Sequence, residues 1–565
     1  MNNDVSVTRA PGGSTETNVI AANNVRTTKF TFTSSNTDKD TTNVISRKGD
    51  LYLGYAENAP VYSGSSVAPN GKNTNQNLFD YTISAPANEG VLNIKAGWDD
   101  TKPTIATTQG MEGGNVYFTG IKTNMAATGK YPTFITIPYS SEYICDDQRT
   151  HERELLHNRK DSYQAYEHSG IIGGVGACGK DGAWGDFGGK LLDAASGLTQ
   201  FIQKSLEYKG NKGDLTVDAG KRGNIIMNTG GLLDFQNDNG NAIFRTREGD
   251  IDMRDPFEAK EMTGSLLFLA QLEDLTKLSD IKVCGCDEER NNVYLQDFKY
   301  TASTANNSGS VFIGADNNIK LNYGGLTNIG TRQDPFLSKP YETYSNGAVK
   351  KIGRGYTAGG GCGTSYHCDL NDDENQASPL LLNFSGTVTS GGFAAVASDM
   401  IDVYKKLEYR GGNGSGLSTV PGTGTLHGEN VAGYGLFMKT QGNKHNWTDN
   451  ILLQAPKCPT TCSPTGCENL APNAHPTGFL HNTVRMTFHS DARFYAENQR
   501  VHLESPVIET FGVLELNAED GAGANAMITI KTDSLICHDS LIRKGKGKVQ
   551  LTTWSGLPKD QPIIK

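Results

Sequence analysis

The chain of 565 residues is poor in apolar side chains: 36% are hydrophobic and 20% are charged. A globular domain has roughly 45–50% apolar residues when glycine is counted with them, a range this chain reaches only through its 66 glycines. Long apolar runs are also lacking. The longest is Ser265-Leu-Leu-Phe-Leu-Ala-Gln-Leu272, far below the about 20 residues of a membrane-spanning helix. Positive charge is in deficit, with 52 basic against 62 acidic residues and a net charge of −10. With no basic stripe, nucleic acid is not an expected partner, nor is a purely electrostatic attachment to anionic lipid. The opening Met1-Asn-Asn-Asp-Val-Ser has no basic stretch followed by an apolar core, so it does not read as a secretory leader. The 20 prolines are scattered and glycine has no period of three, which excludes collagen.

Catalytic signatures are missing too. There is no Gly-x-Ser-x-Gly elbow, no phosphate-binding Gly-x4-Gly-Lys-Ser/Thr loop and no Gly-x-Gly-x-x-Gly in a strand–helix setting. His151-Glu-Arg-Glu-Leu-Leu-His157 separates its histidines by six positions. A zinc-protease helix needs four, so that both rings share a face.

Glycine is abundant, at 66 residues. Short units open with it and then alternate apolar with polar: Gly49-Asp-Leu-Tyr-Leu, Gly213-Asp-Leu-Thr-Val, Gly309-Ser-Val-Phe-Ile. The last two continue alike, as Asn224-Ile-Ile-Met-Asn-Thr-Gly-Gly231 and Asn318-Ile-Lys-Leu-Asn-Tyr-Gly-Gly325. Each unit is too short to bury its apolar side alone, but stacked units share one continuous core. Glycine and asparagine supply the tight corners. The expected fold is therefore mainly β: an elongated parallel β-solenoid with a few inserted or capping helices and cysteine-containing loops. An array of β-sandwich domains is the alternative. Asn239-Gly240, between Leu232-Leu-Asp-Phe and Ala242-Ile-Phe-Arg, reads as a hairpin turn.

Three further matches recur in the same order: Cys145-Asp-Asp-Gln-Arg with Cys286-Asp-Glu-Glu-Arg, Ala177-Cys-Gly with Gly361-Cys-Gly, and Leu206-Glu-Tyr-Lys-Gly with Leu407-Glu-Tyr-Arg-Gly. They suggest a duplication with later insertions. The resulting division is an N-terminal β-repeat region (1–135), a first block with helical insertions (136–280), a second block (281–455) and a C-terminal β-repeat region (456–565). Helices are expected where apolar residues recur every three or four positions. These are Leu191–Ile202, Val396–Leu407, Ala259–Ser279 and Asp147–Glu167.

Of the ten cysteines, Cys145, Cys178, Cys284, Cys286, Cys362, Cys368, Cys458, Cys462 and Cys467 lie in polar, turn-rich stretches. They are the candidates for loop disulfides, which places the protein outside the cell or at its surface. Cys458, Cys462 and Cys467 with His475 and His481 lack regular zinc-site spacing. Asp369, Asn371, Asp372 and Asp373 are a calcium candidate, although their order is not that of an EF-hand and a solvated acidic loop is the simpler reading. No other cofactor is implied. Acid pairs for glycoside hydrolysis cannot be picked out among 62 acidic residues.

Units such as Gly213-Asp-Leu-Thr-Val and Asn224-Ile-Ile-Met-Asn-Thr-Gly-Gly231 give the chain a texture that resembles the β-solenoid shafts of filamentous-haemagglutinin-like proteins. It also looks like segments of giant Bacteroidetes-type surface adhesins. The resemblance implies a structural or adhesive segment of a surface fibre. Its partners would be other copies or segments of that fibre, and surface glycans or proteins. A β-helical polysaccharide lyase or glycoside hydrolase, or a phage or virus fibre protein, are the alternatives. If the disulfides form, thiol labelling of the denatured, unreduced protein will find few reactive cysteines. Eight or more labelled thiols would overturn both the disulfides and the compartment.

Overall fold

The computed structural model describes residues 3–53, 79–101, 113–126, 198–271, 291–322, 379–442 and 484–554, with short internal breaks. It also describes the short strands at 132–133, 341–343, 349–351 and 563–564. The described residues form a parallel β-solenoid of triangular section, in which successive short strands belong to three faces in rotation. The first face is a 12-stranded sheet running from Glu16–Ala21 to Lys548–Thr552. The second runs from Val25–Thr27 through Leu51–Leu53, Ile225–Met227 and Met400–Val403 to Ser534–Cys537 and Ile563–Ile564. The third begins with Asn3–Arg9, passes through Phe79–Ile83 and Leu206–Lys209, and continues as a five-stranded sheet from Leu380–Asn383 to Leu541–Lys544. The strand Val25–Ser34 bends through a corner, so that its start pairs on the second face and its end on the third.

Every pairing within the three faces is parallel, and mostly in uninterrupted register. Val19, Val44, Ile94, Val217, Phe244 and Phe268 are successive partners on the first face. The column continues through Ile313 and Met438 to Leu551. Their side chains point inward and form one continuous core with those of the other two faces. Aromatic rings stack between coils inside it, as in Phe32–Tyr81 at 4.6 Å and Tyr81–Tyr208 at 5.3 Å. Stacked neighbours of like shape are the natural filling when the same inward position recurs in every coil.

From Asn24 to Asn318 the corner before the second face fixes this register. Asn24, Asp50, Asn115, Asn224, Asp250, Asn292 and Asn318 occupy it in successive coils. Each Oδ1 accepts the backbone N–H of the next member, at 2.9, 2.7, 3.0, 2.8, 2.9 and 3.1 Å. Asparagine and aspartate interchange because the rung needs only an acceptor oxygen. The preceding residue must be small where coils approach closely. A Cβ on Gly223 would lie 1.9 Å from the Gly114 carbonyl oxygen, and one on Gly249 would lie 1.9 Å from that of Gly223.

Among the described residues there is no helix, and none that could cross a membrane. Two expected helices are corrected. Val396–Leu407 is three strands, Phe393–Ala397, Met400–Val403 and Leu407–Arg410, one on each face. A chain that turns a corner every few residues reproduces the apolar spacing of a helix. The described part of Ala259–Ser279 is likewise strand, in Phe257–Met262 and Ser265–Ala270. Leu198–Gln203 pairs antiparallel with Ile121–Ala126, whereas 191–197 and 147–167 lie outside the described residues. The hairpin at Gly240 is not made. Gly231–Asp238 lies on the third face and Ala242–Thr246 on the first, each paired parallel with other coils.

Asn292 is fully buried, and its amide also donates to Asp250 Oδ1 at 3.0 Å. Asn292→Ala should therefore cost about 1–3 kcal/mol in chemical denaturation, and Asn292→Asp clearly less. Gly223→Ala should destabilise at least as much as Asn292→Ala. An unchanged Gly223→Ala would show that the corners are not close-packed.

Candidate functional site

The three faces differ in what they show to their surroundings. The third is an ordinary solvated surface, where alternating charges pair off as Lys260–Asp234 at 3.0 Å and Lys544–Glu515 at 2.9 Å.

The first face is polar at both ends and apolar in the middle. Asn18, Asn43 and Asn93 form an amide ladder at one end, at 2.9 and 3.0 Å. The middle presents Leu267, Leu269, Phe312, Ala394 and Val396 on its outer side. A described excursion at 416–435 covers them with Leu417, Val420, Leu426 and Val431. This explains why Leu266–Ala270 is apolar without alternation: the strand is buried on both sides.

A buried polar clasp holds that excursion. His427 bonds through Nδ1 to Gln441 and pairs through Nε2 with Asp316. Gln441 Nε2 donates to the His427 carbonyl at 2.9 Å and to Glu429 at 2.7 Å. Lys439 bridges Glu429 at 2.9 Å and Glu504 at 3.4 Å. Burial by itself would lower the basicity of His427, but Asp316 and Gln441 outweigh it and raise its pKa above the ordinary value. Burial would likewise raise the Glu504 carboxyl, yet the His502 hydrogen bond with Lys439 and Lys531 brings it down to about 2. At the same edge of this face, burial is outweighed for Asp218 by Arg247 and Arg245, and its pKa is lowered to about 2.

The second face carries the candidate site. Over four successive coils Tyr404, His489, Phe511 and His538 each follow a strand and stack on the outside of the trunk. Their centroids are 4.3, 5.7 and 4.5 Å apart, with planes within 11°. Beside the rings, Asp402, Thr487 and Glu509 are register partners in successive coils. Each histidine reaches back to the acid of the preceding coil. His538 Nε2 is 2.8 Å from Glu509 and His489 Nε2 is 3.7 Å from Asp402. Asp402 and Thr487 are buried, but Asp402 Oδ1, Thr487 Oγ1 and His489 Nε2 make no hydrogen bond. Phe511 is 47% exposed.

Sequence reasoning missed this strip, because its members are spread over 404–538 and align only once the coils stack. The sequence candidates fall elsewhere. Asp369, Asn371, Asp372 and Asp373, with Cys145, Cys178, Cys284, Cys286, Cys362, Cys368, Cys458, Cys462 and Cys467, lie outside the described residues. All nine cysteines fall in segments between trunk strands. Cys537, the one cysteine among the described residues, is a free thiol on the second face. Among the described residues no cluster of three or more His, Cys, Asp or Glu is placed to hold a metal ion.

No protein-family model matches the chain, and no curated protein or solved structure matches it.

The clasp and the Asp218–arginine cluster together predict a two-sided pH profile. Asp218 and Glu504 are depressed, so their stabilisation is complete above their ordinary range and fades as pH falls towards 2. For Asp218 this is on the order of 2 kcal/mol. His427 is raised, so its stabilisation is complete below about 6.5 and fades as pH rises through its folded value. The thermal midpoint should be highest between about pH 4.5 and 6.5. His427→Gln should remove much of the alkaline decline and leave the acid one in place.

Proposed function

We propose that the protein is a structural and adhesive segment of a secreted or cell-surface fibre. The observation that carries this reading is the uninterrupted parallel stack, in which one core runs through all three faces. Such a trunk is stiff along its axis and repeats each outward position at the strand spacing of about 4.8 Å. Nine of the ten cysteines lie in sequence between the strands of the trunk, which fits loop disulfides. Many weak contacts on one stiff support add up to avidity. The texture shared with filamentous-haemagglutinin-like shafts points the same way. A second reading, a polysaccharide-cleaving enzyme, is favoured by one observation. Asp402 and Glu509 face outward from the same sheet two coils apart, which is about 9.6 Å at the strand spacing. That lies at the upper end of the separation used by inverting glycosidases.

The test couples the protein to beads at rising density and measures retention on a mucin-coated surface. An adhesive segment should be retained steeply more at high density, and negative-stain images should show trunks about 50 Å long, joined end to end where fibres form. Retention that is weak at every density would sink the adhesive reading. New reducing ends released from a polysaccharide panel would replace it with the enzymatic one.

A further inference from the structure

The first face has an outer strand edge at each end of the trunk. Among the described residues, Glu16–Ala21 pairs only with Thr41–Ser46, and Lys548–Thr552 only with Met527–Lys531. The inward column shows what this does to the core. Every member from Val44 to Ile530 is at most 1% exposed, but Val19 and Leu551 at its ends are only partly buried. Val5 and Val7 at one end and Val549 at the other are also partly buried members of the core. Backbone hydrogen bonding alternates along each edge strand. Lys548 donates to the Ala526 carbonyl at 3.0 Å, and the Thr552 carbonyl accepts from Thr532 at 2.9 Å. Val549 and Leu551 therefore turn their N–H and C=O groups to the outer edge. At the other end the Thr15 and Ala21 carbonyls accept from Thr41 at 2.7 Å and from Arg47 at 2.9 Å. Glu16, Asn18 and Ile20 therefore turn theirs to the opposite outer edge.

We infer that copies of this chain join head to tail, the first coil of one set in register on the last coil of another. This deepens the fibre part of the reading above and rests on it. The two edges are complementary. Carrying the first-face columns one step beyond Lys548–Thr552 sets Glu16 on Lys548, Thr17 on Val549, Asn18 on Gln550 and Val19 on Leu551. The inward column continues with apolar on apolar, and Lys548 meets an opposite charge. The ladder of Asn93, Asn43 and Asn18 continues as well. One amide hydrogen of Asn18 goes to Glu16 at 3.0 Å, and the second is directed to Gln550 Oε1. The backbone groups also fall opposite one another. Val549 and Leu551 donate to the Glu16 and Asn18 carbonyls and accept from the Asn18 and Ile20 N–H groups. The Glu16 carbonyl takes the Arg9 guanidinium within its own coil and keeps a second lone pair. The rotation of the faces is preserved. Leu541–Lys544, Lys548–Thr552 and Ile563–Ile564 lie on the third, first and second faces. Asn3–Arg9, Glu16–Ala21 and the start of Val25–Ser34 repeat that order. An unrelated strand would take such an edge in any register, whereas the matched positions select this chain's own first coil. Arg543, which turns to the Gly547 carbonyl at 3.5 Å, makes the last coil basic together with Lys544, Lys546 and Lys548. Two last coils therefore repel each other, which leaves head-to-tail joining. A contact between unlike ends that does not close on itself grows into a fibre.

Sedimentation velocity of the full chain at rising concentration should show dimers and longer multiples, and negative-stain images should show rods that lengthen in trunk-sized steps. A zero-length carbodiimide cross-link between Glu16 and Lys548, located by mass spectrometry, should appear in the multiples. The two residues are about 50 Å apart within one trunk of 12 coils, so that link forms only between copies. Glu16→Lys and Lys548→Glu should each weaken association roughly fivefold, and the double reversal should restore it. Ile20→Pro removes an edge N–H without touching a hydrogen bond of the trunk and should abolish joining. Melting curves establish that each variant is folded, and the charge reversals suffice should Ile20→Pro unfold. A chain that stays monomeric at every concentration overturns the inference. So do multiples that lack the cross-link, that ignore Ile20→Pro, or that the double reversal does not restore. If the chain stays monomeric while its retention on mucin rises with bead density, the junction alone has failed. If trunks join as described but retention is weak at every density, the adhesive reading has failed instead.

Discussion

The N-terminal part of the trunk depends on one repeated interaction: a side-chain oxygen of Asn or Asp at a corner accepting the backbone N–H of the coil stacked upon it. From Asn24 to Asn318 this hydrogen bond recurs without a break. Parallel strands have no tight turn to set their register, so something else must. A corner that locks each coil to the height of the last does so, and the inward columns then align of themselves. The glycines beside the ladder follow from it, since Gly114, Gly223 and Gly249 sit where successive backbones come too close for a Cβ.

Once the inside is uniform, individuality moves to the outside. Charge pairing solvates the third face. The first has an apolar middle that would be a liability if bare; the chain covers it with its own excursion and fastens this with His427. The cost of burying that imidazole is offset by Asp316 on the trunk and Gln441 beside it. The second face stacks a row of aromatic and imidazole rings on its outside, with Asp402 buried beside them. Phe437 and His502 also stack outside, at 5.0 Å on the first face, but there Tyr434 leans over them. On the second face Phe511 stands exposed.

Much of the trunk was legible locally. Gly213-Asp-Leu-Thr-Val and Gly309-Ser-Val-Phe-Ile are both strands of the first face, and Asn224-Ile-Ile-Met and Asn318-Ile-Lys-Leu both belong to the second. Leu206-Glu-Tyr-Lys and Leu407-Glu-Tyr-Arg both belong to the third. The misreadings share one cause. The spacing of Val396, Met400, Val403 and Leu407 suits a helix and also suits three short strands turning two corners. Period alone does not separate the two. Leu232 to Arg245 carries a hairpin turn between two strands, but each strand finds a better partner one coil away. Stacking of like on like outweighed the local turn.

The sequence alone determined the class of the fold. Sparse apolar residues in short alternating units, punctuated by Gly, Asn and Asp, can bury themselves only by stacking. The tertiary structure alone decided which residues meet. Asp402, Thr487, Glu509 and their rings are separated by stretches of unequal length, including the segment 443–483, so no fixed period marks them. They become neighbours because the parallel strand register counts coils rather than residues.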